Sequence, residues 1–338
     1  MKKRVAIAGN ILLDVVKQID AWPEEGMLVN ISEQRRSVGG CVCNTGIDLC
    51  TLSSEVEVIA YGKVGMDENG EWVLGQMCER GIDVSHVVKS PMLPTSYTDV
   101  MTVATTGQRT FFHARGANAV FSPADIDLKD LHCDLFHFGY LLLLDEMDAP
   151  DATYDTKAAR LLHDVQSKGI KTCIDLVSDQ SGKFQKVVPP ALKYCNYVVI
   201  NEVEGGMLTG IDARNPDGVP NCTHLKEICK KMLQMGVRDA VVIHCPELSC
   251  SLEANGTFTV VPSLNVPKEA IVGTVGAGDA FCAGMLYAIL TDRNMTDAMR
   301  LASCVAACNL AVADSVSGAR PIEEVQKLET IYQRRPIL

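Results

Sequence analysis

The chain has 338 residues, 47% of them apolar and 22% charged, which is enough to bury a sizeable core in one large α/β unit or in about two domains. Its net charge of −11 argues against nucleic acid or an anionic membrane surface as the main partner. No stretch reaches the ~20 apolar residues of a membrane span, and the short apolar run behind Lys2, Lys3 and Arg4 ends at Asp14, so a cytoplasmic protein is expected.

Val5-Ala6-Ile7-Ala8 predicts a buried parallel strand ending at Gly9-Asn10, with Asp14 on its carboxyl side, where open α/β sheets place ligands. Pro23 and Gly26 break the region that follows, and residues 28–36 mix β-formers with polar residues like an exposed strand. Val38-Gly39-Gly40-Cys41-Val42-Cys43-Asn44 restarts the core, with a helix over 41–52, a strand over 56–60 and a helix over 71–80. Residues 96–113 alternate as a half-exposed strand region, expected to pair with 15–36 and stand off the main sheet.

After Pro123, strands at 135–138, 172–175, 197–200 and 240–244 alternate with helices near 154–168, 189–194, 202–208 and 223–235. That rhythm predicts right-handed βαβ units and a mostly parallel sheet covered on both faces. An antiparallel pair around Asn255-Gly256 and helices over 278–290 and 296–312 complete the chain. Its 14 cysteines include no Cys-x-x-Cys pair, and most lie in apolar runs, so reduced, structural thiols are expected.

Gly273-Thr274-Val275-Gly276-Ala277-Gly278-Asp279-Ala280-Phe281 carries the chemistry. Glycines free the backbone to point successive N–H groups one way, and a helix starting there adds unpaired amides and a positive dipole end. Together these suit an anion, most often phosphate. A carboxylate would repel that phosphate, so Asp279 is better placed to take a proton from an attacking hydroxyl. Taken alone, the stretch is equally compatible with a glycine turn and a first-turn helix acid. Asp14, Gly39, Gly40 and Asn44 suit sugar hydroxyls, or alternatively an Asx turn and a tight strand-to-helix turn. Asn201 and Glu204 suit a hydrated Mg²⁺, or a helix cap with the acid at its third position.

In their order along the chain these features resemble the ribokinase-like (PfkB) carbohydrate kinases. The resemblance rests on Asp14, Gly39-Gly40 with Asn44, Gly116-Ala117-Asn118, Asn201-x-x-Glu204 and residues 274–281, which are close to the family's second signature. It covers essentially the whole chain. It implies a single ribokinase-like α/β domain over 1–338, a central mostly parallel sheet flanked by helices with a small β-strand lid inserted at about 12–36 and 96–114. By the same resemblance Asp279 is the base, and the amides of Gly276, Ala277 and Gly278 hold the transferred phosphate. Asn201, Glu204, Thr274, Gly276 and Gly278 position ATP, with Glu204 holding Mg²⁺ through water. Asp14, Gly39, Gly40, Asn44, Arg115 and Asn118 face a small carbohydrate, and the lid is also the expected homodimer interface.

Two departures stand out. Gly273 replaces the Asp that helps hold K⁺ in relatives, leaving only backbone carbonyls near Thr274 and Gly318 for such an ion. His244-Cys245-Pro246-Glu247-Leu248 replaces a Gly-containing turn that touches the nucleotide, and Glu247 adds a charge that phosphate would not welcome. Arg109, His113 and Arg115 fall at alternating positions of a regular strand, a face that is either a solvated edge or suited to an anionic acceptor. A nucleoside kinase of the same family and a non-catalytic sugar or nucleotide sensor remain alternatives. A dinucleotide oxidoreductase is disfavoured because no Gly-x-Gly-x-x-Gly follows the first strand.

Overall fold

The computed structural model describes residues 2–178 and 182–336. Strand β1 (Lys3–Ala8) is buried on both faces at Val5–Ala8, as its uninterrupted apolar run requires. β2 (Leu12–Ile19) and β3 (Ile31–Gly39) then leave the core, and α1 (Cys41–Leu52) returns to it. β4 (Val56–Gly65) runs five residues beyond the expected end, and α2 (Glu68–Glu79) is capped by the Asp67 carboxylate accepting from Gly70 N at 2.8 Å. β5 (Val87–Ser90), β6 (Tyr97–Val103) and β7 (Arg109–Ala114) follow.

The second half brings β8 (Leu135–Leu141), the short α3 (Asp145–Asp148), and the two-residue strands β9 (Pro150–Asp151) and β10 (Asp155–Thr156). Then come α4 (Lys157–Ser167), β11 (Lys171–Leu176), α5 (Phe184–Leu192), β12 (Tyr197–Asn201), α6 (Glu202–Thr209), α7 (Cys222–Gln234) and β13 (Ala240–His244). The chain ends through the hairpin β14 (Leu248–Glu253) and β15 (Phe258–Pro262), then α8 (Ala277–Leu290), α9 (Met295–Asn309) and α10 (Ile322–Ile331). The expected helix at 189–194 instead begins at Phe184: Val187 and Val188 bury an apolar turn ahead of Pro189 and Pro190, which lie in its second half.

Nine strands form one sheet in the order β15-β14-β13-β12-β11-β8-β1-β4-β5, parallel except for the antiparallel β14 and β15. Alternate residues of each strand feed two cores. Val5 and Ile7 face the side covered by α1, α8 and α9, while Ala6 and Ala8 face the side covered by α4, α5 and α7. Helix α8 is buried nearly all round, and Gly284 lets it approach α9 so closely that an added Cβ would lie 2.6 Å from Ala302 Cα. Strand order reverses between β1 and β8, and the crevice outside their carboxyl ends is where such sheets bind ligands.

A separate four-stranded sheet, β3-β2-β6-β7, stands off the main one as expected. Its register places Asp14 opposite Thr98 and Ser37, Gln18 opposite Thr102 and Glu33, and Thr102 opposite Arg109. Asp14, Val16, Gln18, Arg35, Arg109, Phe111 and His113 therefore share one face. The opposite face carries exposed Phe112, stacked on exposed Trp22 with ring centroids 6.0 Å apart. All 14 cysteines are free, and no described helix is long and apolar enough to cross a membrane.

Candidate active site

The glycine turn is dictated by backbone geometry. Gly276, the N-cap of α8, has φ +78°, and a Cβ there would lie 2.6 Å from the Ser315 carbonyl oxygen. The turn starts α8 at the mouth of the sheet crevice and puts Asp279 in its first turn, almost wholly buried. The Asn44 amide donates to one oxygen of that carboxyl (3.0 Å), and the Tyr140 hydroxyl lies 2.9 Å from both. Ser315 Oγ in turn donates to Asn44 Oδ1 (2.9 Å), fixing which way the amide points. Burial, reinforced by the neighbouring Asp175 charge, raises the Asp279 carboxyl to about 6, against the lowering effect of the Asn44 and Tyr140 hydrogen bonds.

A cavity of about 520 Å³ opens onto this carboxyl. Phe111 from the small sheet, Asp175 near the end of β11, Ser178 just beyond it, Asn201 and Glu204, His244 and Gly278 are among its walls. Asn201 and Glu204 form a complete capping box: Glu204 N donates to Asn201 Oδ1 (2.8 Å) and Asn201 N to Glu204 Oε2 (3.1 Å). Ser178 Oγ adds a bond to Glu204 Oε1 (3.0 Å). The cap does not exclude a second role, because burial raises the Glu204 carboxyl to about 8 despite these donors. A buried acid so poorly compensated suits a cation, which fits magnesium held through its waters.

The remaining expected residues divide. Gly39 and Gly40 bring the backbone against Asp14 and Asn10, where a Cβ would clash. Asp14 is partly exposed, and its carboxyl is raised to about 7 by burial, against the Thr98 hydrogen bond and the Arg109 charge. Asn118 is buried, accepting from Ile11 N at 3.3 Å, with its amide nitrogen unpartnered. Arg115 leaves the expected face: strand β7 ends at Ala114, Gly116 turns with φ +46°, and Arg115 donates to Leu142 O and Asp145. Of the turn amides, Ala277 N is directed back to Thr274 O at 3.3 Å, so it is not free as expected.

Near Thr274 and Gly318, several backbone carbonyls already accept hydrogen bonds. Asn309 Nδ2 donates to Val275 O (2.7 Å), and the Arg320 guanidinium to Ser317 O (3.0 Å) and Ala319 O (2.7 Å). At Gly273, a Cβ would lie 2.7 Å from Val312 O, so any side chain there would force the loop backbone to shift. The charge of Glu247 is also accounted for. Arg214 binds both its oxygens at 3.0 Å and reaches Glu202 at 2.6 Å, turning it into an ion-pair network outside the cavity lining.

Sequence reasoning missed Tyr140, Asp175 and Phe111. An acid at the carboxyl end of an apolar parallel strand was the available signal for Asp175, the same one that marked Asp14. Tyr140 has φ +61°, a backbone state nothing in its neighbours announces.

One consequence concerns stability. A carboxyl raised in the folded state favours folding while protonated, and that contribution fades as pH rises from its unfolded value toward about 6. Asp279→Asn removes the buried charge, so the ligand-free variant should melt above the wild type at pH 8, with the gap closing toward pH 4. A melting gap of equal size at both pH values would refute that account.

The geometry can now be set beside known proteins. The family model described as pfkB family carbohydrate kinase matches residues 2–320. The ribokinase of Arabidopsis thaliana is 21% identical over 326 residues, 96% of this chain and 80% of its own. The 2-dehydro-3-deoxygluconokinase of Escherichia coli K12 is 22% identical over 306 residues, 89% and 92% of the two chains. In fold, the structure of Arabidopsis thaliana ribokinase complexed with ribose and ATP superposes with a TM-score of 0.80 at 18% identity, covering 97% of this chain and 99% of the other. The match spans the sheet, the small β-sheet and the glycine turn together, and the chain belongs to the pfkB family of carbohydrate kinases.

Proposed function

We propose that this chain transfers the γ-phosphate of ATP to a hydroxyl of a small carbohydrate, with Asp279 as the base. The observation that carries this is the buried Asp279 carboxyl, oriented by Asn44 and Tyr140 at a left-handed glycine turn facing the cavity. One Asp279 oxygen, now in contact with the Tyr140 hydroxyl, accepts the proton of the acceptor hydroxyl. The acceptor's own oxygen, freed of its proton, then attacks the γ-phosphorus in line, the bond to ADP breaks, and Asp279 later returns its proton to solvent. The Gly276 and Gly278 amides and the positive end of α8 meet the charge on the moving phosphoryl group, while Ala277 N stays turned to Thr274 O. Magnesium, when bound through water at Glu204 and Asn201, supplies neutralising charge to the phosphates. The four-stranded sheet serves as a lid, and Phe111 already lines the cavity.

The acceptor class follows from that lid face. Arg35 and Arg109 border a second cavity of about 480 Å³ on the same face as Asp14. Two guanidinium groups beside the residue expected to hold the sugar favour a sugar acid or sugar phosphate over a neutral pentose.

The direct test is ADP release from Mg·ATP across sugars, sugar acids, sugar phosphates and nucleosides. One strong acceptor is expected, with kcat/KM falling on the acid side near pH 6 and dropping about 10²–10⁴-fold in Asp279→Asn. Silence across the panel, with ligands still raising the melting temperature, would favour a sensor instead. Because Gly273 offers no carboxylate, and Val275 O, Ser317 O and Ala319 O already accept from Asn309 and Arg320, replacing K⁺ by Na⁺ should leave the rate unchanged; a K⁺-specific rise would show that backbone carbonyls suffice to hold the ion. The exposed Trp22–Phe112 face of the lid suits a second copy, so light scattering should give a dimer that Phe112→Asp dissociates, and a monomeric wild type would dismiss it.

A further inference from the structure

Behind the catalytic carboxyl lies a cluster that the proposed reaction does not use. In the parallel pairing of β8 with β11, His137 sits directly opposite Cys173, and Asp175 follows two residues on, on the same face of the sheet. Helix α8 packs over that face and lowers Cys282 onto it. His137 Nε2 lies 3.8 Å from Cys282 Sγ and 3.6 Å from Asp175 Oδ2. One ligand atom from each of the three residues falls within 4.8 Å of the others, and all three side chains are buried.

The distances are informative. At 3.6 Å the imidazole–carboxylate contact is too long for a hydrogen bond. His137 Nδ1 has no partner at all, although the ring is fully buried. On its Nε2 side the ring has only a weak sulfur hydrogen bond with the Cys282 thiol, so this buried imidazole is poorly satisfied, a state that ordinarily costs stability. The same spacings suit a shared cation. With metal–sulfur near 2.3 Å and metal–nitrogen or metal–oxygen near 2.0–2.1 Å, the edges of a tetrahedron come to roughly 3.3–3.6 Å. Asp175 is prepared for this role, since its Oδ1 is held by Tyr140 N (3.0 Å) and its Oδ2 is directed to the cluster.

We propose that His137, Asp175 and Cys282 form a binding site for a borderline-soft divalent cation, with zinc the best match. Thiolate and imidazole select zinc over magnesium or calcium, which take oxygen ligands. Asp175 and Cys282 both line the 520 Å³ cavity, which gives the ion its route in and leaves a fourth position open to water or ligand. Cys173 touches the Cys282 thiol from behind as an outer neighbour. Binding replaces the thiol proton, so affinity rises with pH. The site is separate from the magnesium position at Glu204 and does not depend on the kinase reading.

Cobalt provides the test, because Co²⁺ reports thiolate and four-coordinate ligation by absorption. The reduced, metal-free full chain should take up one equivalent of Co²⁺ with a near-ultraviolet sulfur-to-metal band and intense visible bands, both displaced by one equivalent of Zn²⁺. Zinc should also raise the melting temperature without nucleotide present. Cys282→Ser and His137→Gln should each weaken binding by more than the roughly 10–100-fold typical of losing an outer-shell partner. Cys78→Ser, at the exposed thiol, should leave it intact. Cys282→Ala replaces the serine variant if the latter does not fold. A wild type without the sulfur band, or a band that survives in the Cys282 and His137 variants, overturns the proposal.

Discussion

At the junction of the glycine turn and α8, a carboxyl group is held away from water, and three distant parts of the chain are arranged to make that tolerable. An isolated buried carboxylate costs more than a small domain's entire stability margin allows, so it must find donors or keep its proton. Asn44 arrives from α1, Tyr140 from the end of β8, and Ser315 from the loop after α9 orients Asn44. Ser315 also packs its backbone against Gly276, so the residue that steadies the amide also shapes the turn presenting the acid. The result is a carboxyl held up to about 6 by burial, close to the range that the proposed role of base calls for.

What the sequence disclosed was whatever depends on local chemistry. The glycine-rich turn, the first-turn acid and the Asn201–Glu204 cap are each written within a few residues, and all three form where expected. The strand–helix rhythm also translated directly, because a run such as Val5–Ala8 can be satisfied only between two covered faces. Partnerships across the chain were not legible. Tyr140 and Asp279 meet over a separation of 139 residues, and Asn44 reaches the same carboxyl over a separation of 235. Arg115 was misplaced because a regular alternation was extended one residue beyond the point where Ser96 Oγ takes its carbonyl and Gly116 turns the chain.

The turn after β13 illustrates how a local reading can be right about residues and incomplete about their effect. Pro246 and Glu247 do lie in the turn between β13 and β14. Arg214, 33 residues earlier, binds Glu247 and Glu202 together and ties the start of α6 to the β13–β14 hairpin. His244, the last residue of β13, is stacked near Phe281 with centroids 4.7 Å apart and is kept neutral by burial, which lowers it to about 4. The wall next to Gly278 is therefore aromatic and uncharged, even though the turn behind it carries Glu247.

The distribution of thiols gives the molecule an internal clock. Nine of the 14 cysteines are buried, four are half-buried, and only Cys78 lies open on α2. Because the buried ones sample both cores, in α1, α7, α8, α9, β11 and β14, each of these elements carries its own reporter of transient opening. Pulsed alkylation read out peptide by peptide would thus rank the local unfolding energies of lid-proximal and sheet-centre regions without any engineered probe.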